Sequence, residues 1–107
     1  MAYDVLLAER IRTALAGRDA ITERKMFGGI GFMHHGHMCT GVWKDCLIAR
    51  IGENEELLLR PGVRQFDVTG RPMSGWLLID ADEVAAQDEV DAWVDECHRF
   101  TATLPPK

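Results

Sequence analysis

Serine is almost missing from this chain: Ser74 is the only one, and it lies outside any G-x-S-x-G context. That removes the usual hydroxyl nucleophile of an acyl-transfer enzyme. Cysteine is scarce too. Cys39, Cys46 and Cys97 are odd in number and too few for a disulfide framework, so a reducing cytoplasm is expected. No apolar run approaches the roughly 20 residues of a membrane-spanning helix. The opening MAYDVLLAER sets acidic Asp4 and Glu9 around a short apolar stretch and does not read as a secretory signal. What is present is the composition of an ordinary globular domain, 47% hydrophobic and 27% charged. A single domain over residues 1–107 is expected, burying about two-thirds of its unfolded surface.

The net charge of −5 is unevenly spread. Residues 24–71 carry seven basic and five acidic groups, a balance of +2, whereas residues 72–107 carry two basic and eight acidic, −6. The acidity reads as the solvated face of a C-terminal helix. Its field repels nucleic-acid phosphates, which disfavours direct DNA binding.

Periodicity predicts a helix over 2–16, with Tyr3, Leu7, Ile11 and Ala14 on one stripe, Leu6 and Leu15 widening it, and Gly17 ending it. Ile21 to Met26 leads into a glycine-rich stretch. Strands are then expected at Ile30–His34, His37–Trp43 and from Trp43 to Ile51, turned by His35-Gly36 and Lys44-Asp45. Two-residue turns set His34 opposite His37, Phe32 opposite Cys39, Trp43 opposite Cys46 and Cys39 opposite Arg50. Alternation then puts Met33, Met38, Thr40, Val42, Leu47, Ala49 and Ile51 on a face packed under helices. Ile30, Phe32, His34, His37, Cys39, Trp43, Cys46, Ile48 and Arg50 fall on a mixed, partly wet face. A short helix capped by Asn54 stops at Pro61-Gly62, and residues 63–75 read as irregular. Trp76 to Ile79 reads as a central strand buried on both faces. A capping box at Asp80-Ala81-Asp82-Glu83 opens a helix to about Thr101. Hairpin-linked strands between helices imply an α+β, two-layer domain: an antiparallel sheet with N-terminal and C-terminal helices packed on one face.

The sharpest chemical cluster is His34-His35-Gly36-His37-Met38-Cys39. The register brings His34 and His37 within roughly 4.5–5.5 Å at Cβ, with Cys39 two residues along. Imidazole and thiolate together suit zinc or another late transition metal, so a small metal-binding module of His34, His37 and Cys39 is the alternative reading. His35 is expected to point away, and His98 and Cys97 to lie on a distant helix. Phe27-Gly28-Gly29-Ile30-Gly31 precedes a strand rather than a helix, so it lacks the helix N-terminus of a phosphate loop and reads as close packing or a bend. The cysteines read as small hydrophobes. With no catalytic set, no enzyme and no cofactor are expected.

Three irregular segments each carry arginine: Arg24-Lys25-Met26-Phe27-Gly28-Gly29-Ile30-Gly31-Phe32, then Leu59-Arg60-Pro61-Gly62, then Gln65-Phe66-Asp67 leading to Thr69-Gly70-Arg71-Pro72-Met73-Ser74-Gly75-Trp76. Together, over about residues 5–100, they resemble the TfoX/Sxy N-terminal domain family. The resemblance implies an α+β domain. It also implies a bacterial, cytoplasmic role in transcription regulation, since the family's named members regulate natural competence as co-activators working with the cyclic-AMP receptor protein. Those members carry a further C-terminal domain, so this chain is expected to be the N-terminal domain standing alone.

The resulting expectation is a non-enzymatic regulatory or protein-interaction domain. Its contact surface is expected to be Arg24, Lys25, Arg60, Arg64 and Arg71 with Trp76. An exposed sheet edge or the mixed face is where two copies would pair as a homodimer.

Overall fold

The first apolar stripe winds into α1, Val5–Leu15, in the computed structural model, which describes residues 3–26, 28–52, 55–67, 70 and 73–106. Asp4 starts the helix: its carboxylate accepts from the Leu7 N–H at 3.1 Å, which satisfies one of the free amides of the first turn. Leu7, Ala8, Ile11 and Leu15 turn inward, but Leu6 is 75% exposed and does not widen the stripe.

Among the described residues six strands follow: β1 Ile21–Met26, β2 Gly29–His34, β3 His37–Trp43, β4 Cys46–Arg50, β5 Val63–Phe66 and β6 Met73–Ile79. They form one sheet in the order β1-β2-β3-β4-β6-β5, antiparallel at each pairing. A 3-10 turn, Glu55–Leu59, joins β4 to β5, and a second, Ala81–Val84, leads to α2, Gln87–Thr101. Asn54, the expected cap, lies outside the described residues. So do Phe27, Arg71 and Pro72.

Both helices lie on one face of the sheet. The buried apolar residues of α1 and α2 share a cluster with Ile30, Phe32, Cys39, Val42, Leu47, Ala49, Leu77 and Ile79. The opposite cluster is made of strand residues: Met38, Cys46, Ile48, Phe66 and Leu78, overlaid by Met26, Met33, Trp43, Met73 and Trp76. The two-layer α+β architecture expected from the pattern is therefore the observed one.

Several local expectations need correction. Residues 63–75 are not all irregular, because Val63–Phe66 pairs with β6 as an edge strand. Trp76–Ile79, by contrast, lies inside the sheet as expected, because β6 is flanked by β4 and β5, and Leu77, Leu78 and Ile79 are buried on both faces. The expected long C-terminal helix breaks at Ala85-Ala86. Asp80 makes no side-chain cap bond; its carboxylate takes Arg64 instead. The α2 entrance is closed by Glu89, whose carboxylate accepts from the Ala86 N–H at 2.9 Å.

The most consequential correction is one residue wide. His34 does pair with His37, and Trp43 with Cys46. Phe32 pairs with Thr40 rather than Cys39, while Met33 pairs with Met38, so Cys39 is the extra residue of a β-bulge. Past the bulge, Thr40, Val42, Leu47 and Ala49 keep their expected helix-side positions. Before it the assignment inverts. Ile30, Phe32, His34 and Cys39 lie under the helices, and Met33 and Met38 face away from them.

The glycines of β2 and β3 have a steric reason. A Cβ on Gly29 would stand 2.1 Å from the Val42 carbonyl oxygen, and one on Gly41 would stand 2.3 Å from that of Ile30. The two strands approach where neither can carry a side chain.

Candidate functional site

On the face without helices, Met and Trp side chains spread over a buried floor. Ile48 and Leu78 are fully covered and Phe66 nearly so; the partly exposed Met26, Met33, Trp43, Met73 and Trp76 pack against this layer. Four of the chain's five methionines belong to this cluster, and their unbranched thioethers let such a surface adjust its shape.

Cations lie on the indoles. The Lys44 ammonium is 4.7 Å from the Trp43 ring centre, and the Arg50 guanidinium carbon is 4.9 Å from that of Trp76. Phe66 meets Trp76 in a tilted contact at 5.9 Å. Beside them Arg64 bonds Asp80 at 2.5 Å and donates to the Cys46 sulfur at 3.4 Å. Burial raises the Cys46 pKa despite that guanidinium, so the thiol stays neutral. A shallow recess of about 290 Å³ opens between Arg50, Gly52, Ser74, Gly75, Trp76 and Phe100.

All four histidines gather where the β2–β3 turn meets the C-terminal end of α2. His34 stacks on His98 with ring centres 4.2 Å apart, and His35 lies 4.6 Å from His34, so neither is remote as the sequence suggested. His34 Nδ1 is 2.8 Å from Thr101 Oγ1. His37 donates from Nε2 to the Pro105 carbonyl at 2.6 Å. Desolvation lowers the pKa of both His34 and His98, and the positive charge of Arg18 acts in the same direction on each.

His34, His37 and Cys39 do share a side of the sheet, but it is the side beneath α2. Thr101 stands between His34 and Cys39, bonding the first and meeting the second. Burial pushes the Cys39 thiol up to about 11 and Cys97 well above its usual range. Among the described residues, no three His, Cys, Asp or Glu side chains converge on a metal position.

From residue 13 to 101 the sequence matches the family model of the TfoX N-terminal domain. The chain belongs to the TfoX N-terminal domain family. Neither the curated proteins nor the solved structures return a match.

In this TfoX N-terminal domain the arginine-bearing segments do not form one patch. Arg24 and Lys25 lie exposed on β1, one edge of the sheet, and Arg64 lies on β5, the other edge. Five strand spacings of about 4.8 Å separate them, roughly 24 Å. Glu23 bonds Arg12 of α1, so along β1 its neighbour Arg24 faces the helix-free side and Lys25 the helix side. Arg60 is on the helix side as well, with its guanidinium carbon 4.8 Å from the Trp93 ring centre. The structure thus sets Trp76, Arg64 and Arg24 on the same face without joining them in one patch. Arg60 and Lys25 are set apart, and Arg71 is outside the described residues.

The sequence pattern set Trp43 and Arg50 on the mixed face, but it left Lys44, Met26 and Met73 unassigned and counted Met33 and Met38 on the other face. The bulge at Cys39 inverted the face on which Met33 and Met38 were counted.

Proposed function

We propose that this TfoX N-terminal domain is a non-enzymatic, cytoplasmic regulatory module that binds a protein partner through the helix-free sheet face. The observation that carries the reading is the cluster of Trp43, Trp76 and four methionines, over which no helix lies among the described residues, bordered by Arg24, Lys44, Arg50 and Arg64. Aromatic, Met and Arg side chains are the residues enriched where proteins meet. The three buried thiols, each held neutral by desolvation, favour a binding role over nucleophilic catalysis.

Family membership supports a role in transcription regulation, competence included, and the cyclic-AMP receptor protein is the first purified partner to test. Added to the domain, it is expected to slow amide exchange in β4 and β6 and to shift the Trp43 and Trp76 indole resonances. Trp76→Ala combined with Arg24→Glu should abolish both effects while the melting transition stays cooperative. Binding that survives the double substitution would remove this face from the function. Exchange protection confined to α2 would do the same.

A further inference from the structure

We propose that the recess between the Glu55–Leu59 turn, the Ala81–Val84 turn and α2 is a binding site for a guanidinium or ammonium group, in which Arg60 is a displaceable occupant. This site lies on the helix side, away from the surface assigned above.

The recess encloses about 450 Å³. Glu89, Trp93 and Glu96 follow at i, i+4 and i+7 on one stripe of α2, with Asp88 beside them, while Glu83 closes the opposite wall. Its lining therefore holds four carboxylates and one guanidinium, Arg60, leaving three negative charges. Arg99 offsets one of them by pairing with Glu96 at 3.0 Å. A concave wall of one sign concentrates ions of the other.

The indole supplies the second half of the chemistry. Trp93 is 4% exposed, and the guanidinium of Arg60 lies over its ring. A planar cation on an aromatic face inside a carboxylate-lined hollow is the arrangement that recognises cationic ligands. Arg60 shows that the hollow accepts one. Yet among the described residues no carboxylate forms an ion pair with Arg60. Arg60 is exposed, so its guanidinium can swing off the Trp93 ring into solvent and leave that face to a ligand. A ligand with two or more positive charges gains the ring together with Asp88 and Glu83, which have no ion-pair partner among the described residues, and the single guanidinium does not.

The same chemistry can come from a free polyamine or from a basic protein segment, so the test has two arms. Spermidine probes the first and N-acetyl-arginyl-arginine amide the second, each titrated into the whole chain and followed by the indole N–H resonances. The Trp93 signal should shift saturably while those of Trp43 and Trp76 stay in place. Binding of one probe alone identifies the source. Arg60→Ala, which uncovers the ring and removes a competing charge, should tighten binding at least threefold. Asp88→Asn with Glu96→Gln should weaken it at least tenfold, and the single substitutions serve if the pair perturbs folding. Failure of both probes to move Trp93 overturns the proposal. So does weaker binding by Arg60→Ala, or equal binding by the carboxylate variants, which would mark diffuse attraction to the acidic helix.

Discussion

On the helix side of the sheet, Phe32, Cys39, Val42, Leu47 and Ala49 have no exposed surface, whereas on the other side Trp43, Trp76, Met26, Met33 and Met73 each keep part of theirs in water. The two faces use different residues for different ends. The covered face is filled with aliphatic and aromatic side chains that interdigitate with α1 and α2, where lost volume is not recovered. The open face is built of thioethers and indoles capped by Lys44 and Arg50, groups that tolerate both water and a partner. Stability is therefore concentrated on one face, leaving the other available for contact.

The largest test of this contrast is Phe32→Ala, which empties a fully buried site beneath α1. It should cost about 3–5 kcal/mol in denaturant unfolding, or roughly 4–8 °C per kcal/mol in a domain of this size. A loss below about 1 kcal/mol would show that the helix layer does not carry the fold. Next is Gly41→Ala, whose Cβ would meet the Ile30 carbonyl oxygen and force β2 and β3 apart. A cost of about 1–3 kcal/mol is expected, with faster amide exchange along both strands.

Trp76→Ala should act less on stability than on binding. The ring is half-buried, so roughly 1 kcal/mol is expected in a urea melt, alongside loss of partner contact. A cost equal to that of Phe32→Ala would erase the distinction between the faces.

The finest comparison is a slope with pH. His34 and His98 have folded pKa values below the usual 6.5, chiefly through desolvation, so the unfolded chain binds more protons near that value. Their contribution is fully present above pH 6.5 and is lost as pH falls toward their folded values. Melting temperature should therefore drop between pH 7.5 and 5.5, and His98→Gln should flatten the dependence. A flat profile in the unsubstituted chain would dissociate the histidine stack from stability.

Much of the scaffold could be read in advance. The 3.6-residue stripe through Leu7 and Ile11, the His35-Gly36 turn with φ of 50° and 84°, and the pairings of His34 with His37 and Trp43 with Cys46 follow from local rules. β1 and β5 were harder, because ITERKM and VRQF are polar edge strands whose hydrogen bonds come from neighbours rather than from their own pattern. The site was less legible still. Arginines 24, 60 and 64 resembled one surface in the linear sequence, but strand order sends Arg24 and Arg64 to opposite edges and Arg60 to the other face.

By itself the sequence determined the class of the domain, the turn positions, the acidic helix and the family, since each depends on residues close together in the chain. Only the tertiary structure decided which face is left open, because a single bulged residue at Cys39 inverts the alternation on which that assignment depends. It alone also placed Trp93 beneath Arg60 and His98 on His34, contacts between segments far apart in sequence. Such contacts are set by how helices cross a sheet, and no local periodicity encodes them.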